Sequence, residues 1–113
     1  MGIVQQSQVS ATARRLEKLV QLYQKGQASA LMDRTLDKLL AHEAAVCREQ
    51  LGQVKADLAE FEQRYGLGSA EFYSRFQAGQ TDDRMDYVEW ASLVQMVRNL
   101  EERLRVLTGE GQA

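Results

Sequence analysis

The apolar positions of this chain recur at alternating steps of four and three residues over two long stretches. That spacing belongs to a helix with one buried seam, because a strand alternates every second residue. In the longer stretch the positions are Leu40, Ala44, Cys47, Leu51, Val54, Leu58, Phe61 and Tyr65, a seam sustained for more than three heptads. In the last stretch they are Trp90, Leu93, Val97, Leu100, Leu104 and Leu107. Two stripes of similar length joined by a compact segment predict two helices folded back antiparallel.

Turn and cap residues divide the rest. A first helix is expected to begin at Ser10 or Thr12, both N-cap types, with Val9, Ala13, Leu16, Val20 and Tyr23 as its stripe and Leu19 and Leu22 widening it. Lys25-Gly26-Gln27 reads as its end. The second helix is expected over 29–65, about 55 Å long at the usual rise per residue. Its opening positions, Leu31, Met32, Leu36, Leu39 and Leu40, form the broad face that a third helix would cover. Gly52 inside it costs about 1 kcal/mol relative to Ala. Either another backbone approaches closely there, or the glycine is a tolerated surface residue.

Gly66 ends this helix and Gly68 adds a second flexible point. Ser69 then reads as an N-cap, with Glu71 placed well against the helix dipole. A short helix over 70–77 carries Phe72, Tyr73 and Phe76, and Gly79 closes it. The last helix is expected from Asp82 or Asp83, with Asp86 in a box-like position three residues on, as far as Leu107, where Gly109 stops it. The fold class is therefore all-α: an antiparallel long-helix hairpin, coiled-coil-like, with a short helix at the hairpin end and a packed N-terminal helix. Residues 1–113 form a single helical domain in which 1–8 and 109–113 are expected to be disordered.

Composition agrees with helices and adds one point. There is no Pro, and 44% of the residues are hydrophobic. At 113 residues the chain is one domain by length. A long hairpin exposes more surface than a compact fold, so exposed seam residues point to self-association as a homodimer.

The net charge of −2 is uneven. Residues 1–65 hold nine Lys/Arg and eight Asp/Glu, and residues 66–113 hold five and eight. No basic stripe of a nucleic-acid binder is evident; only Arg14, Arg15 and Lys18 cluster. No secretory start and no apolar run of membrane-spanning length is present, so a soluble, cytoplasmic protein with no membrane partner is expected.

Candidate chemistry is sparse. Cys47, the only cysteine, excludes an intrachain disulfide and reads as a small hydrophobe on the seam rather than a reactive thiol. His42, the only histidine, stands five residues from Cys47 on a different face, so they form no nucleophile–base pair. No phosphate-binding loop and no CxxC pair occurs. No catalytic residue, cofactor or metal ligand is therefore expected, and the chain reads as a non-enzyme.

The acids Asp82, Asp83, Asp86 and Glu89 have two readings: capping with dipole compensation, or a docking surface for a basic partner. The spacing Asp57-x-x-Glu60 with Asp83-x-x-Asp86-x-x-Glu89 is superficially similar to the Mg²⁺-binding acids of all-α nucleotide pyrophosphatases, a pattern that any acid-rich helix produces by chance. Glu60 and Glu62 are the acids that an antiparallel hairpin would bring opposite.

Seven of the eight aromatics fall within thirty residues around the hairpin end. Phe61, Phe72, Phe76 and Trp90 read as core. Tyr65, Tyr73 and Tyr87 read as amphipathic and partly exposed, near Arg64, Arg75 and Arg84, a mix typical of interface hot spots.

Four segments carry a resemblance: Arg34-Thr-Leu-Asp-Lys-Leu-Leu40, Phe61-Glu-Gln-Arg-Tyr-Gly66, Ser69-Ala-Glu-Phe-Tyr-Ser-Arg-Phe-Gln-Ala-Gly79 and Asp86-Tyr-Val-Glu-Trp90. Over residues 31–107 the chain resembles a group of small prokaryotic helical proteins that tend to be encoded beside a short partner gene and are regarded as antitoxin-like members of toxin–antitoxin pairs. It departs from that group at Gly79-Gln80, where the usual pair is Gly-Glu. The resemblance names no active site and includes no recognisable DNA-binding element. It implies a small cognate toxin as partner, neutralised by occlusion. Tyr65, Tyr73, Asp82, Asp83, Asp86 and Tyr87 are the contact residues suggested, with the acids meeting a basic RNA- or nucleotide-binding cleft. The alternative is a homo-oligomeric coiled-coil adaptor.

Overall fold

A computed structural model describes residues 6–109 and shows an all-α chain, with no strand among them. Its elements are α1 (Gln6–Gln24), α2 (Ala30–Tyr65), α3 (Ser69–Gln77) and α4 (Met85–Thr108). Of the residues expected to be disordered, 6–8 belong to α1, and 1–5 and 110–113 lie outside the described part. Gly109 is described and caps α4 in the left-handed conformation at φ 74°. The chain divides into two compact units, residues 1–38 and 39–113.

In the first unit α1 closes by donating Gly26 N–H to the Tyr23 carbonyl (3.1 Å) and Gln27 N–H to the Leu22 carbonyl (2.8 Å). These are the two bonds of a Schellman end. Ser29 opens α2: its Oγ accepts the Met32 N–H at 3.1 Å, while its own N–H points to Met32 Sδ at 3.4 Å. The arrangement is a capping box with sulfur standing where a carboxylate is usual. Tyr23 donates its phenol to Asp33 Oδ1 at 2.6 Å, which pushes that phenol up to about 12. Leu16, Val20 and Tyr23, expected as the seam of α1, are exposed, whereas Leu19 and Leu22 are half-buried.

In the second unit α2 packs antiparallel on α4. Glu43 pairs with Arg103 (2.7 Å), Cys47 donates its thiol hydrogen to the Leu100 carbonyl (3.2 Å), and Arg64 pairs with Asp86 (3.0 Å), so numbers rise on α2 as they fall on α4. Ala44, Cys47, Leu51, Val54 and Phe61 are buried, as the four-three spacing requires. Leu40, from the same stripe, is exposed.

Gly52 is also exposed, and a methyl built there meets nothing within 4 Å. The surface explanation therefore holds, with no close backbone. Gly52→Ala is expected to raise stability by about 0.5–1 kcal/mol, by removing unfolded-state freedom and improving helix propensity. A rise in the urea midpoint checks it; a fall would show that residue 52 is not in a regular helix.

Gly66 (φ 63°) and Gly79 (φ 72°) bracket α3 in the left-handed region, where a side chain would be strained. The expected helix starts shift by a few residues. Ser69 is not the N-cap of α3; Gly68 holds that position without a side-chain bond. Ser69 instead donates its N–H to Glu62 Oε2 (2.9 Å) and accepts the Trp90 indole N–H on its Oγ (2.9 Å). Likewise α4 is capped at Arg84, not at Asp82 or Asp83. The Asp82 carboxylate is already engaged by the Arg84 N–H and guanidinium, which turns the chain ahead of the helix.

Candidate functional site

The hairpin end is built on one side chain. Trp90, in the second turn of α4, is fully buried. Its ring stacks on Phe72 of α3 at 3.9 Å with planes 1° apart, and on Phe61 of α2 at 5.6 Å and 11°. Tyr65 stacks at 5.7 Å as well. All three helices of the second unit thus meet on one aromatic layer, joined by Tyr73, Ala91 and Val94. Burial of such rings is worth several kcal/mol, and the stacking adds to it.

Above this layer opens a hollow of about 360 Å³, lined by Tyr65, Phe72, Arg75, Asp82, Tyr87 and Trp90 among others. Three of the six suggested contact residues therefore share it. Tyr65 and Tyr87 are half-buried and meet edge to face at 5.2 Å. The Arg84 guanidinium covers the Tyr87 ring at 4.6 Å while its nitrogens hold the Asp82 carboxylate at 2.8 and 2.9 Å. Asp86 sits behind Tyr65, accepting the Tyr65 phenol and an N–H of Arg64. Asp83 is exposed and, among the described residues, has no hydrogen bond or ion pair.

Tyr73 lies elsewhere. Expected as partly exposed, it is buried. Its hydroxyl donates to Gln95 and accepts from Gln77, and Arg98 stacks on its ring at 4.6 Å. Once the phenol's polar end is satisfied by Gln95 and Gln77, the ring is free to join the core.

The acids are largely neutralised within the chain. Arg84 holds the Asp82 carboxyl down to about 2, through its guanidinium first and its backbone N–H second. The Tyr65 phenol, and then Arg64, lower Asp86, and Asp86 in turn raises Tyr65. A carboxyl depressed on folding stabilises the fold above its ordinary value and loses that contribution as pH falls through the folded value. The stabilisation from the Asp82 contact is thus fully present above pH 3.8 and is lost as pH falls through about 2. A carboxyl NMR titration should place the Asp82 midpoint near the lower figure; a midpoint at 3.8 would show the Arg84 contact to be absent in solution.

Two residues of the site were not foreseen in these roles. Glu62, weighed as a metal-facing acid, instead holds the first N–H of α3. Ser69, expected as a cap, is the acceptor for Trp90. The sequence carries one hint for Glu62: an acid in the last turn of a helix opposes the dipole and so invites a partner outside it.

Among the described residues no group of three or more His, Cys, Asp or Glu side chains is placed to hold a metal ion. Asp57, Glu60 and Glu89, which the pyrophosphatase spacing pairs, line a shallow hollow together, without Asp83 and without forming such a group. His42 is exposed on α2 and Cys47 is buried. No helix among the described residues is long and apolar enough to cross a membrane. No protein-family model, curated protein or solved structure matches this chain.

Proposed function

We propose that this chain is a protein-binding module, antitoxin-like, that neutralises a small cognate toxin by occluding it, with the hairpin end in the interface. The supporting observation is the hollow over Trp90 and Phe72, a rigid aromatic floor under a rim of Tyr65, Tyr87 and Arg84-bound Asp82. Half-exposed tyrosines beside arginine on a preorganised base are the anatomy of an interface hot spot. The electrostatic share of the contact at this end falls to Asp83, since Asp82 and Asp86 are held by the chain's own Arg84, Arg64 and Tyr65.

Co-expression with the product of the adjacent gene, scored for co-purification and for rescue of growth, tests the reading. Asp83→Lys together with Asp86→Lys should weaken the complex with helicity unchanged. Asp83→Lys alone separates lost charge from the loss of the Tyr65 contact. Unchanged affinity in both variants removes the hairpin end from the interface.

Self-association as an adaptor is the second reading, favoured by the exposure of Leu16, Val20, Leu39 and Leu40. Sedimentation analysis decides it: a strictly monomeric chain discards it, and a dimer split by Leu16→Asp sustains it.

A further inference from the structure

A second stripe runs along α4. Met85, Glu89, Ser92 and Met96 recur at steps of four, three and four, distinct from the buried set Trp90, Ala91 and Val94 on the same helix. Met85 is 79% exposed, and Val88 and Met96 are each 45% exposed. Two hollows adjoin along this stripe and share Glu89 and Leu93. The first, of about 400 Å³, takes in Met85, Val88 and Ser92. The second, of about 220 Å³, reaches across to Asp57, Glu60 and Phe61 of α2. Together they make one groove, with Leu93 and Phe61 in its floor, Met85 and Val88 in its wall, and Asp57, Glu60 and Glu89 at its rim. Among the described residues those three acids have no hydrogen bond or ion pair, whereas Arg64 at the end of the groove is already held by Asp86.

We propose that this groove docks a basic amphipathic helix of a partner protein. Exposed methionine and valine beside an apolar floor accept apolar side chains of varied shape. Unpaired carboxylates on the rim favour Lys or Arg on the flanks of the same segment and repel an acidic one. A polycation without apolar residues would leave Met85, Val88 and Leu93 uncovered. A helix placing apolar residues at i, i+3 or i+4 and i+7, with basic flanks, satisfies both features at once. From Met85 to Leu93 the groove runs about 12 Å along α4, two turns of such a helix. The inference rests on the protein-binding reading above, but it places this contact on a face other than the Trp90 hollow and specifies the partner's chemistry.

The test uses the full chain and a labelled synthetic helix of about 20 residues, with Leu along one heptad seam and Lys on both flanks. Fluorescence anisotropy should show saturable one-to-one binding. Glu60→Lys with Glu89→Lys should weaken it about tenfold or more, and so should Val88→Asp, whose side chain is exposed and whose fold circular dichroism verifies. Glu17→Lys with Asp37→Lys, the same charge change in the first unit, should leave binding unchanged. Equal binding of an all-Lys peptide, insensitivity to the groove variants, or equal loss in the first-unit control would overturn the proposal. So would a dimer that Val88→Asp alone converts to monomer, since a second copy would then fill the groove. Failure of the adjacent gene product to co-purify, with peptide binding intact, would sink the antitoxin reading and not the groove.

Discussion

Trp90→Ala is expected to destabilise the protein by about 3–5 kcal/mol, a large part of the stability of a domain this size. The indole is fully buried, lies flat on Phe72, faces Phe61 and Tyr65, and gives its N–H to Ser69. Truncation therefore opens a cavity where three helices meet and leaves Ser69 without that donor. Trp90→Phe keeps ring against ring and should recover more than half of the loss; the remainder reports the Ser69 bond and the unfilled volume. Urea unfolding followed by helical circular dichroism measures both variants. A cost below about 1 kcal/mol for the alanine variant would show that the hairpin end packs in some other way.

The second large effect is a contrast between two leucines of one stripe. Leu51 is 7% exposed and Leu40 is 46% exposed, although the four-three spacing treats them alike. Leu51→Ala should cost about 2–5 kcal/mol, the price of a core cavity, and Leu40→Ala less than about 1 kcal/mol. Comparable losses at dilute and concentrated protein would contradict the burial pattern. A Leu40 penalty that grows with concentration would instead show that a second copy covers that end.

Helix number, order and hairpin topology were legible in the sequence because the seam of α2 and the seam of α4 each repeat without interruption. Phe61 and Trp90 were legible as core for the same reason, and Phe72 from the concentration of aromatics at the hairpin end. Periodicity names a face but not what covers it, so it ranked Leu40 with Leu51 and placed the seam of α1 on Leu16 and Val20, which are exposed.

The capping errors have a local cause. Asp82 and Asp83 precede an apolar run, as N-caps do, yet an arginine two residues on captures the first carboxylate. Tyr73 was misplaced for a non-local cause: its hydroxyl partner Gln95 is 22 residues away, and no short-range pattern announces that pairing. The groove was half visible. Glu60 and Glu89 stand out as acids, but Met85, Val88 and Met96 lie outside the seam of α4. The second stripe through 85, 89, 92 and 96 was the signal.

Cys47 lies only 1% exposed within the α2–α4 contact, with its thiol hydrogen turned to the Leu100 carbonyl. A thiol-reactive reagent can reach it only while the two helices are apart. When reclosing outpaces modification, the ratio of its labelling rate to that of an unfolded cysteine equals the opening equilibrium constant of the hairpin. The sulfur is thus a built-in clock for helix separation, readable at a single atom by mass spectrometry without any denaturant. A partner that clamps α2 to α4 would slow that clock in proportion to its occupancy.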